Sequence, residues 1–141
     1  NGKGNSVSAQ TNQTALTKYI VVDTNVLIYL ISGVLPPDVF PVDVDIICPS
    51  IVMIEALGYQ DITVSEEKKL RNIILGQCIV APLDGDIVEQ AINIRQQKNI
   101  KTPDAIIAAT AIENNAERWT HNVKDCSKID TLHLHDPITD R

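Results

Sequence analysis

A chain of 141 residues with 18 acidic and 12 basic side chains is long enough to bury one core without disulfides or a structural metal. Its formal net charge of −6 argues against holding a polyanion by bulk charge, because nonspecific nucleic-acid affinity comes chiefly from Lys and Arg at phosphates. One Phe, one Trp and three Tyr offer no evident stacking platform for unpaired bases, and no apolar run approaches the roughly 20 residues of a membrane span.

The first eighteen residues, NGKGNSVSAQTNQTALTK, hold almost nothing to bury and read as a disordered leader or cloning remnant. Residues 19–141 then form a single domain. Tyr19 to Val22 predicts a short strand buried on both faces, since its apolar residues run without alternation. A helix through Val26, Leu27, Tyr29 and Leu30 follows, ending at Gly33. Residues 34–45 carry three prolines and predict a loop. Ile46 to Cys48 predicts the second strand.

Ser50 is the expected N-cap of a helix that carries Glu55 in its interior. Ser65, followed by Glu66 and Glu67, is expected to open the next helix, which stops at Gly76. Cys78 to Ala81 predicts a third strand, and Asp84 caps a helix with Ile87, Val88, Ala91 and Ile94 on one face. In TPDAIIAATAIENNAE, Thr102 is the expected N-cap, Pro103 the first helical residue and Asp104 part of the first turn, ahead of a buried apolar body. Short strands at Arg118–Thr120 and Thr131–Leu134 complete an α/β fold around a mostly parallel sheet. Cys48, Cys78 and Cys126 are odd in number and widely spaced, so reduced packing thiols are expected.

In an open parallel sheet the ligand site lies beyond the carboxyl ends of the strands. Asp23 ends the first strand, Glu55 sits in the helix after the second, Asp104 begins the buried helix and Asp125 follows the fourth strand. Singly, Asp23 is explained as an N-cap, Asp104 by the helix dipole and Asp125 by a turn. Glu55, flanked by Ile54 and Ala56, is costly to bury unpaired. Together, carboxylates ~4 Å apart repel by roughly 4 kcal/mol at an effective dielectric near 20, and no Lys or Arg adjoins Asp23, Glu55 or Asp104 in sequence. A hard divalent cation, Mg²⁺ or Mn²⁺, would relieve that repulsion.

The segments VVDTNVLIYL, SIVMIEAL, TPDAIIAATA and THNVKD resemble, in order and approximate spacing, the motifs of PIN-domain nucleases, most closely the VapC-type toxins of toxin–antitoxin pairs. The resemblance covers about residues 19–137. It implies a single three-layer α/β domain with a central, mostly parallel sheet of four to five strands flanked by helices. It also implies Mg²⁺- or Mn²⁺-dependent endoribonuclease activity at a metal site of Asp23, Glu55, Asp104 and Asp125. Thr24 matches the hydroxyl residue after the first acid, and Asn122 the polar residue of the T-x-N-x-x-D segment beginning at Thr120. Cys126 departs from the aromatic residue that relatives commonly place after the last acid. The implied partners are RNA, a cognate antitoxin and a second copy in a homodimer, in a cytoplasmic protein without membrane contact.

Lys98, Lys101, Lys124 and Lys128 flank these motifs as candidates for RNA phosphates, with a solvated helix face as the alternative for each. His133 and His135 alternate on one side of a strand but lack a third ligand, and His121 reads as a bystander. Two other functions compete. One is a noncatalytic PIN-like domain that binds RNA or a partner. The other is a receiver-type phospho-acceptor domain, which needs an acceptor aspartate at the end of a middle strand and a later lysine that ERWTHN does not offer. On the repulsion argument, Asp23→Asn or Asp104→Asn is expected to abolish cleavage while leaving the metal-free fold as stable as before, or more so.

Overall fold

The β-branched run after Tyr19 becomes β1 (Lys18–Val22), the middle strand of the sheet in a computed structural model that describes residues 18–121 and 133–138. Around it lie β2 (Val44–Pro49), β3 (Cys78–Ala81), β4 (Glu117–Trp119) and β5 (His133–His135) in the order β3-β2-β1-β4-β5, with every pairing parallel. Such a sheet must be covered on both faces. The cover is α1 (Thr24–Ser32), α2 (Ser50–Leu57), α3 (Val64–Gln77), α4 (Gly85–Gln97) and α5 (Thr102–Glu113), giving a three-layer α/β domain. The first three helices pack on one another, and α4 lies along α5.

Val21, Val22, Val26 and Leu27 are fully buried, and the small residues Ala105, Ala108 and Ala109 let α5 sink into the core. Burial of that kind is what an apolar helix with little amphipathic contrast requires. Gly33 ends α1 at φ 83°, a left-handed conformation that glycine adopts without a Cβ penalty.

Several expected boundaries shift by a residue or two, each for a local reason. Ser50 is the first helical residue of α2, and the capping position belongs to Pro49, which has no side-chain cap. Thr63 rather than Ser65 opens α3, because Thr63 and Glu66 satisfy each other reciprocally: Glu66 N–H donates to Thr63 Oγ1 at 3.1 Å and Thr63 N–H donates to Glu66 Oε1 at 3.0 Å. Ser65 has Lys68 three residues on and cannot make that box. The helix runs through Gly76 to Gln77. Lys101 occupies the capping position of α5, so Thr102 lies inside the helix. Asp84 caps α4 as expected, accepting from Ile87 N–H at 2.9 Å.

The chain travels outward from β1 to β2 and β3, then returns through α4 and α5 to lay β4 on the other side of β1. Strand order therefore reverses between β1 and β4. In open α/β sheets that reversal opens a crevice at the carboxyl ends of the strands. The register Val22↔Trp119 brings Asp23 and Thr120, the next residue of each strand's chain, to that crevice, and Asp23 N–H donates to Trp119 O at 3.1 Å.

Candidate active site

Asp23 has extended backbone (φ −85°, ψ 162°) and caps α1. Its Oδ1 accepts from Thr24 N–H at 2.7 Å, and its Oδ2 accepts from both Arg118 Nη2 and Thr120 Oγ1 at 2.8 Å. Arg118 is 0% exposed and the Asp23 side chain 12%, so this ion pair lies almost out of water. The same Nη2 stands 3.6 Å from Asp104 Oδ1, while Arg118 Nη1 donates to the Asp104 backbone carbonyl at 3.3 Å. Asp104 lies in the first turn of α5, where the helix dipole favours negative charge.

Glu55 joins from the other side. Thr24 Oγ1 donates to Glu55 Oε1 at 2.8 Å, so Asp23, Glu55 and Asp104 belong to one connected network running through Thr24 and Arg118. Two expectations are corrected here. Glu55 is exposed rather than buried, because α2 turns Val52 and Ala56 inward and leaves Ile54 and Glu55 outside. Nor are the acids without a cation: Arg118, remote in sequence, supplies one to both aspartates.

Arg118 is the functional residue that motif reading misses. A signal for it exists, since a charged residue in ERW, within a strand that should be apolar for a doubly covered sheet, demands a buried partner. Its Nε is buried and has no hydrogen-bond partner among the described residues.

Asp125, Asn122, Lys124 and Lys128 lie outside the described residues. Lys98 and Lys101 are exposed, ending α4 and preceding α5. His121 Nδ1 is 3.0 Å from a carboxylate oxygen of Asp136 and its ring meets Tyr29 edge-on at 5.8 Å, while His135 packs on Trp119 at 4.6 Å. The His133 side chain lies outside the described residues.

Among the described residues, no three His, Cys, Asp or Glu side chains gather as a closed metal-ligand group. The donor chemistry nevertheless fits a hard divalent ion. Among the described residues the candidate ligand atoms are all oxygens, Asp23 Oδ1 accepts one bond there where a carboxylate oxygen has room for two, and Glu55 and Asp104 reach solvent. Such oxygen-only donors suit Mg²⁺-like ions.

The sequence profile of the PIN domain matches residues 20–130. The chain belongs to the PIN domain family. That family is one of nucleases, acting on nucleic acids. No curated protein matches the chain.

Solved structures share the fold of this PIN domain. The VapBC2 structure from Rickettsia felis, bound to a DNA fragment from its promoter, is similar at TM-score 0.71 and 21% identity, over 83% of this chain and 97% of that one. A toxin–antitoxin complex from Klebsiella pneumoniae is similar at 0.64 and 28% identity, over 84% and 97%. VapBC-1 from nontypeable Haemophilus influenzae is similar at 0.69 and 20% identity, over 84% and 98%. The receiver reading falls with the family and with the sheet order, because the strand ending in VAPLDGD is β3, at an edge and not in the middle.

Proposed function

We propose that this PIN domain is a metal-dependent endoribonuclease that hydrolyses RNA phosphodiester bonds as the toxin of a toxin–antitoxin pair. One observation carries the reading: Asp23 and Asp104, 81 positions apart in sequence, flank the same guanidinium nitrogen at the reversal of strand order. The chain's likeness to structures solved as toxin–antitoxin complexes supports a cognate antitoxin as partner. A homodimer and a cytoplasmic location belong to the same proposal.

Asp23, Glu55, Asp104 and Asp125 would hold Mg²⁺ or Mn²⁺. When bound, the ion supplies an acidified water and neutralises charge on the scissile phosphate. The chain's own groups prepare that surface. The Thr24 N–H and the Thr120 hydroxyl fix both oxygens of Asp23, so its outer lone pair points one way without reorganisation. The Thr24 hydroxyl holds Glu55 beside it, which limits the freedom of an otherwise exposed side chain. Lys98 and Lys101, exposed between α4 and α5, would with Lys124 and Lys128 contact backbone phosphates and counter the net charge of −6 locally.

The test is cleavage of a fluorogenic RNA pool by the purified chain with Mg²⁺ or Mn²⁺, beside Asp23→Asn and Asp104→Asn. Loss of cleavage by a factor of 100 or more, about 3 kcal/mol of transition-state stabilisation, is expected in each variant. Full activity in both refutes the assignment. Cleavage of DNA in place of RNA would overturn the substrate class while keeping the site.

A further inference from the structure

Arg118 sits in mid-strand, its Cα paired with that of Val21 in the centre of the sheet, and is completely buried. Removing a guanidinium from water is expensive, and a leucine or methionine of similar bulk would fill the space without that cost. The pairing is also incomplete among the described residues, where Nε finds no acceptor. A full positive charge is therefore kept at this point against the preference of the core around it. Its fork is aimed at the acid site: Nη2 lies between the Asp23 and Asp104 carboxylates, and Nη1 reaches the Asp104 backbone carbonyl near the start of α5.

We propose that Arg118 is the resident counter-ion of this site, a positioning residue that holds Asp23 and Asp104 in place before any metal arrives and loosens the grip of those acids on a divalent ion. The inference rests on the metal-dependent reading above and deepens it. A cation approaching from solvent meets Asp23 Oδ2 already committed to two donors and Asp104 Oδ1 facing the guanidinium, so it must share oxygens with a fixed positive charge. Like charges a few ångströms apart in a partly dry site repel by several times the thermal energy. Its rigid fork makes the arginine poorly replaced by lysine as a brace, though a lysine would keep the charge.

The experiment is calorimetric titration of the metal-free protein with MnCl₂, comparing the unaltered chain with Arg118→Met and Arg118→Lys. Binding about tenfold tighter or more in Arg118→Met, with Arg118→Lys within about threefold of the unaltered chain, is the expected result from removal or retention of one unit charge. Equal or weaker binding in Arg118→Met overturns the inference and leaves the nuclease reading standing. Absence of Mn²⁺ binding in all three proteins defeats both. Should Arg118→Met fail to fold, the unaltered chain still decides: the ¹⁵Nε resonance of Arg118, assigned by its loss in Arg118→Lys, is expected to move during a Mg²⁺ titration. A resonance that stays fixed through saturation by Mg²⁺ overturns the proposal.

Discussion

Asp23 shows how one carboxylate serves two masters. Its bond to Thr24 N–H starts a helix, and its bonds to Arg118 and Thr120 close the crevice between two strands. Because the partner is a buried arginine, Asp23→Asn is expected to cost the metal-free fold about 3 kcal/mol, the usual penalty for stranding a buried charge, as measured by urea unfolding. That reverses the expectation from repulsion alone, in which neutralising an acid relaxes the site. The places of Asp23, Glu55 and Asp104 beyond the carboxyl ends of the strands were legible, but the partner of the two aspartates was not, since Asp23 and Arg118 are 95 residues apart. Only the misfit of an arginine in an interior strand hinted at it.

Cys48 offers a separate check at the same scale. Its thiol is pushed up to about 12 by burial, with the neighbouring Cys78 adding to it, and Cys78 itself rises to about 11 by burial. Both native thiols therefore keep their protons over a range where the unfolded chain, near 9.0, releases them. Their contribution to stability is complete below pH 9 and declines as pH climbs toward 11 and 12. A Cys48→Ala, Cys78→Ala double variant is expected to show a shallower fall in urea midpoint between pH 9 and 10.5 than the unaltered chain.

At the level of elements, legibility followed the strength of local chemistry. The Asp84 cap, β3 and the buried body of α5 stood out because composition and position agreed. The start of α3 was misjudged by two residues, since Ser65 followed by two glutamates imitates a cap that the Thr63–Glu66 box makes in full. Thr63→Ala is expected to remove about 1 kcal/mol of stability with cleavage rates unchanged, as the box touches none of the three described acids. Thermal unfolding beside a cleavage assay measures both. Glu55 was misjudged differently: apolar neighbours in sequence suggested burial, whereas Ile54 beside it is itself 69% exposed. Sequence neighbours on a helix point to different faces, and periodicity rather than adjacency decides.

At the scale of the whole molecule, the all-parallel order β3-β2-β1-β4-β5 places the reversal of the chain and the acid network at one spot. The fold class could be read from alternating strands and helices, but the order of the strands could not, because each crossover helix is compatible with more than one neighbour. Since Arg118 already pairs with Asp23 and stands beside Asp104, the fold is expected to hold without an ion. Addition of EDTA is therefore expected to stop RNA cleavage while leaving the far-UV circular dichroism spectrum and melting temperature of the metal-free protein in place. A collapse of the fold on chelation would place the ion in a structural role.

The central strand is made before its β4 neighbour, since Asp23 and Arg118 lie 95 residues apart. Until that late segment leaves the exit tunnel, Asp23 has neither its arginine nor its threonine, and the crevice has only one wall. The acid network is therefore assembled only once β4 has been laid beside β1.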